Sequence, residues 1–174
     1  MAKKFLSIAV QDVRVETSTT TANSSTAADL IDSGADFVTD AVAVGDIVHN
    51  TTDDAYHVVA TIVDGTHLTF DSGTVATDKA YTVYSGTAST NQLVSMDHMI
   101  MAEQTDVRNV DITMSSGDAA NVVNISHQDI TALTLTMRTA IEDAVLAGQA
   151  KAWLKPSETV VLPTGIKVTN IAIS

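Results

Sequence analysis

Five histidines and one pair of adjacent aspartates are the side chains of this chain best suited to chemistry, and that chemistry would be metal binding. His49, His57 and His67 fall in neighbouring expected strands of "GDIVHNTTDDAYHVVATIVDGTHLTF", residues 45–70, where cross-strand pairing could bring two imidazoles together. A zinc site needs three or four ligands at settled spacing, and the chain has no His-x-His or His-x-x-x-His pair. Asp53 and Asp54 in "TTDDAY" would offer oxygens to calcium, but the alternating ligands and terminal Glu of an EF-type loop are missing. Turn formation accounts for both residues equally well. The expectation is therefore no metal and no cofactor.

Catalytic arrangements fare no better. Glu142 and Asp143 are consecutive on an expected helix and so diverge, no serine sits in a Gly-x-Ser-x-Gly elbow, and no glycine loop could cradle a phosphate. Without cysteine there is neither thiolate chemistry nor a disulfide framework. The chain is expected not to be an enzyme. Trp153 is read as a core or subunit-contact residue, and Met96, Met99, Met101 and Met114 as adaptable core filling.

The elements that would carry these residues divide the chain. "FLSIAVQDVRV", residues 5–15, alternates as a strand, and "ETSTTTANSST", residues 16–26, then reads as a polar linker. A second small-polar patch, "SGTASTNQ", spans residues 85–92. Two soft joints bracket the middle of the chain, as a domain insertion would. Residues 16–88 are expected to form an inserted acidic β-barrel module, and residues 1–15 plus 89–174 the body. In the insert "VGDIVHN", "YHVVATIV", "THLTF" and "KAYTVYS" read as strands, with Asp64–Gly65 as a hairpin turn tolerant of positive φ. Apolar residues on both faces of "YHVVATIV" suggest a closed or doubly covered sheet.

In the body "NQLVSMDHMIMAEQ", "RNVDITMSS" and "NVVNISHQ" read as strands, with a turn at Ser115–Asp118. From residue 131 the period changes to that of a helix whose face is Leu133, Met137, Ile141, Val145 and Ala152. Thr131, Thr134 and Thr136 offer N-cap oxygens, Lys151 and Lys155 suit the C-terminal dipole, and Pro156 closes the helix. A last strand or pair follows, turning at Thr164–Gly165. The expected fold is an α+β body of about five or six strands and one amphipathic helix, carrying a small all-β barrel-like insert.

Charge is partitioned in the same way. Of 21 acids and nine bases, eleven acids and only Lys79 fall between Val15 and Thr90. A net charge of −12 without a basic cluster argues against nucleic acid as a partner. Apolar residues make up 45% of the 174, enough for packed cores, while aromatics at 4% favour a scaffold over a ligand pocket. The apolar stretch of "MAKKFLSIAV" is too short for a signal sequence or a membrane span, so a soluble product made in a cytoplasm, with no membrane partner, is expected.

The stretch from Leu30 to Phe70 resembles a β module that recurs in virion structural proteins of tailed bacteriophages. The resemblance rests on Asp32-Ser33-Gly34-Ala35 with Phe37, on Val44 to Asp53, on the valine-rich strand, and on Leu68-Thr69-Phe70. Ala41 stands where that pattern often has Gly before the valine at 42. The body looks more loosely like small phage structural proteins that lack the insert. The resemblance implies a non-enzymatic particle component, a head decoration (cement) protein on the outer capsid surface. Its partners would be the major capsid protein and sister subunits, with a trimer favoured. The alternative is a tail or fibre component whose module binds a host surface glycan through Phe37, Tyr56, Tyr81 and Tyr84.

Overall fold

Residues 16–19 of the first polar run expected as a linker, and all of the second, 85–92, are strand. In the computed structural model, which describes residues 4–21, 28–115, 122–128, 136–150, 157–162 and 166–174, strand β1 runs unbroken over Phe5–Thr19. The other strands are β2 (Asp29–Ile31), β3 (Ile47–Asn50), β4 (Ala55–Asp64), β5 (His67–Phe70), β6 (Ala80–Ser95), β7 (Met99–Gln104), β8 (Asn109–Met114), β9 (Val122–His127), β10 (Ser157–Thr159) and β11 (Val168–Ile173). Helix α1 (Met137–Ala150) lies between β9 and β10 in the chain. The chain forms two compact units, residues 1–10 with 88–174 and residues 11–87. Both crossings between them lie inside strands, β1 and β6. Ser and Thr are as much at home on a pleated surface as in a loop, and Thr17 Oγ1 meets Thr82 Oγ1 at 3.0 Å across the β1–β6 pair.

The expected α+β class is corrected to mostly β. Among the described residues, the first unit holds the start of β1, the end of β6 and all of β7 to β11 against one 14-residue helix. Charge divides sharply: nine acids face seven bases in that unit, a net −2, and twelve face two in the other, a net −10.

In the acidic unit the strand order is β2-β5-β4-β3-β6-β1, antiparallel along β2-β5-β4-β3-β6. The end of β1 returns to β2, where the Thr21 N–H donates to Ile31 O at 3.0 Å. Leu30, Phe37, Val48, Val59, Leu68, Val75, Tyr81 and Val83 fill the core at 1% exposure or less. β4 is not covered on both faces as expected, since Val58 and Val63 are 38% and 53% exposed. A two-residue hairpin forms one residue later than expected: Asp64 pairs with His67, and the turn residues are Gly65 and Thr66, neither at positive φ. A Cβ at Gly65 would meet Asp36 Oδ1 at 3.0 Å, so a larger residue there would push the Asp36 side chain aside by a few tenths of an ångström.

Residues 36–42 form one fully capped helical turn. Asp36 accepts from the Thr39 N–H (3.1 Å) and hydroxyl (2.7 Å), the N-cap role of a short acidic side chain. At the other end the Val42 N–H reaches Phe37 O and the Ala41 N–H reaches Val38 O, the paired bonds of a Schellman ending. Such an ending puts its last residue in the left-handed region, and Ala41 has φ 56°. The departure from glycine noted in the sequence thus falls where glycine is favoured. Ala41→Gly is expected to stabilise the acidic unit by about 0.5–1 kcal/mol, the relief of left-handed strain less the added freedom of the unfolded chain. Urea unfolding would check it, and a loss of stability would contradict the assignment.

In the near-neutral unit the order is β1-β11-β9-β8-β7, with β10 also paired to β1. β11-β9-β8-β7 is antiparallel and β1 joins β10 and β11 in parallel. Thr136 caps α1, its Oγ1 accepting from the Thr139 N–H (3.2 Å) and its carbonyl from the Ala140 N–H (3.1 Å). Met137, Ala140, Ile141, Ala144 and Gly148 are the buried face of α1, packing with Leu6, Ile8, Val110, Ile112, Ile125 and Val168. Leu133, the caps proposed at Thr131 and Thr134, Trp153, Pro156, both C-terminal lysines and the Thr164–Gly165 turn lie outside the described residues, as does most of the Ser115–Asp118 turn.

Candidate functional site

The three histidines of the acidic unit do not converge. His49 stacks on Tyr56 (centroids 4.3 Å apart) and meets Asp54 at 3.0 Å; His67 meets buried Asp29 at 3.4 Å. His57 stacks on Phe70 and donates from Nδ1 to Ser72 O at 3.1 Å. Among the described residues no three His, Asp or Glu side chains gather as a metal-binding group. Asp53 pairs with Lys79 at 2.8 Å and with Asn50, so it fastens a turn. Glu142 pairs along the helix with Arg138, and Asp143 points elsewhere. Of the four aromatics considered for a glycan platform, Phe37 and Tyr81 are fully buried, while Tyr56 and Tyr84 are half-buried.

The buried acids of this unit are structural ties. Asp32 accepts from the Tyr81 hydroxyl (2.7 Å), the Ser18 hydroxyl (2.6 Å) and the Gly34 N–H (2.9 Å). Burial pushes its carboxyl up, but these three bonds together outweigh burial and hold it below the ordinary value. Asp36, Asp53 and Asp64 are likewise held low, chiefly by Thr39, Lys79 and Thr66, and burial holds the His57 imidazole below 6.5.

These shifts share one sign. A carboxylate lowered on folding adds stability above its unfolded value that is lost as pH falls through the folded one; a lowered imidazole begins to cost as pH falls below its unfolded value. Protonation also relieves repulsion within a −10 unit, but at 0.15 M salt that field is screened within about 8 Å, so the direct bonds decide. The acidic unit should hold its stability above about pH 7, weaken below about 6.5 from His57, and weaken further below about 4 from the aspartates. Amide exchange at pH 7 and pH 4 would check this, residues 11–87 losing more protection than 88–174, where Asp106 is held low by Asn109.

An open edge is found in the near-neutral unit. β7 ends the strand order, so one side of its backbone pairs with β8 and the other with no described strand. Next to it a groove of about 510 Å³ lies between β7 and α1, lined by Met96, Met99, Ile100, Met101, Val145 and Leu146 among others. Ile100, Met101 and Leu146 are 66%, 49% and 63% exposed. An unpaired edge is normally blunted by lysine, proline or shortness. β7 has six residues and neither lysine nor proline, its one irregularity being a bulge between Met99 and Met101. The expected core role of the methionines holds only in part: Met96, Met99 and Met114 are half-buried against the core, and Met101 is turned to solvent. Helix periodicity did not reveal this edge, and the missed signal was "MIMAEQ" itself, an apolar strand without a gatekeeping charge at its start.

Compared with known protein families, curated proteins and solved structures, the chain matches none. The groove and the edge strand beside it are the candidate site. It offers backbone donors and acceptors beside adaptable apolar side chains, with Glu142 on its wall bonded to Arg138.

Proposed function

We propose that the protein is a non-enzymatic structural component of a tailed-phage particle, a decoration subunit that docks on the capsid lattice through β7 and α1 while its acidic unit stays in water. The observation that carries this reading is the exposed apolar edge at Ile100, Met101 and Leu146, on the unit with net charge −2. Such a surface can be buried without stripping water from many charges, whereas the −10 unit resists burial. The phage resemblance of residues 30–70 supplies the context. The alternative, a tail or fibre component that reads glycan, is weakened by the burial of Phe37 and Tyr81. Quantitative mass spectrometry of purified particles would test the reading. Hundreds of copies per particle are expected; a handful would replace decoration by a tail or fibre role.

A further inference from the structure

Resting on that reading of the β7–α1 face as the docking side, we propose that its occupant is an extended segment of the lattice protein, added as a strand to β7, apolar at alternate residues and basic at its ends. The backbone sets the mode. An open edge strand presents outward N–H and C=O groups at every second residue, and an added strand satisfies them. Alternate side chains of that strand would then project over the groove toward Val145 and Leu146 of α1 and the thioethers beside them.

Charge selects the occupant. β7 carries exposed Glu103 and is bracketed in sequence by exposed Asp97 and Asp106. Among the described residues no lysine or arginine lies on β7 or lines the groove; the Lys4 ammonium is bonded to Gly148 O, and the guanidinium of Arg138 to Glu142 at 2.9 Å. A second copy of this chain would bring the same carboxylates to the same edge. A strand with lysine or arginine at its ends would meet them with opposite charge and leave the apolar centre undisturbed.

The test uses the full chain and three capped peptides. One alternates valine and threonine between lysine ends, one has the same centre between glutamate ends, and one is the lysine peptide with a central proline. The readout is amide shift and exchange protection along Met99–Gln104. The lysine peptide should protect alternate β7 amides and bind at least tenfold tighter than the glutamate peptide at low salt. The proline peptide should not bind. Leu146→Asp, at an exposed position, should weaken the lysine peptide at least tenfold, and Glu103→Lys should shrink its advantage. Equal binding of the lysine and glutamate peptides would overturn the proposal, as would protection away from β7. Concentration-dependent β7 protection without peptide would make a second copy the occupant and overturn it too. The particle count is independent: peptide failure with hundreds of copies sinks this inference alone, and a handful of copies with peptide binding sinks only the decoration role.

Discussion

Asp46→Ala is expected to destabilise the unit of residues 11–87 by about 3 kcal/mol, because it takes a buried carboxylate away from two part-buried backbone amides at once. Asp46 is 3% exposed, and its carboxylate accepts from the Gly86 N–H at 2.6 Å and the Ala43 N–H at 2.8 Å. The Arg14 guanidinium lies 3.6 Å away and would lose its nearest carboxylate as well. Hydrogen bonds to an ionised group contribute about 1.5–3 kcal/mol each, so two of them set the scale. Asp46→Asn keeps an acceptor oxygen and should cost about half as much. Urea unfolding, followed by amide exchange within residues 11–87, measures both; a loss below about 1 kcal/mol for the alanine variant would mean the tie is not structural.

Gly86→Ala should act at the same junction for a different reason. A Cβ on Gly86 would lie 2.8 Å from the Gly45 carbonyl carbon, closer still to its oxygen, and 3.2 Å from Asp46 N. These are backbone atoms, which cannot rotate away as a side-chain tip does. Overpacking of this kind costs about 1–3 kcal/mol, and the loosened bond to Asp46 should bring the total to the top of that range or above. Because both variants break one contact, the double variant should lose less than the two single losses combined, by about 1 kcal/mol or more. Additive losses would show that the glycine matters for something other than its approach to Gly45–Asp46.

The strands and the helix were legible where burial imposes a period. "HLTF" and "NVVNISH" alternate cleanly, and α1 buries Met137, Ile141 and Ala144 along one face as its spacing requires. What failed was the reading of composition. "ETST" and "SGTASTNQ" have the residues of a loop, yet they extend β1 and β6, because threonine serves both structures and only pairing decides between them. The α+β expectation weighed about five or six strands against a long helix starting at residue 131. The described residues of the near-neutral unit instead hold seven strands in whole or part and a helix of 14 residues. β2 was missed because three residues are too few to show a period.

The edge at β7 was partly legible. Met99 and Met101 were picked out, but sequence cannot say which strand ends a sheet, and that alone separates a core methionine from an exposed one. Asp53 and Asp54 were assigned to a turn on side-chain chemistry alone, and the structure places them there, with Asp54 at φ 51°.

The central claim is that the near-neutral unit meets the partner while the acidic unit remains hydrated. Cryo-electron microscopy of the purified particle tests it most directly. The account predicts β7 and α1 against a neighbouring shell protein, with residues 30–84 surrounded by solvent. Residues 30–84 packed into the shell, with Met99–Gln104 left open to water, would contradict it.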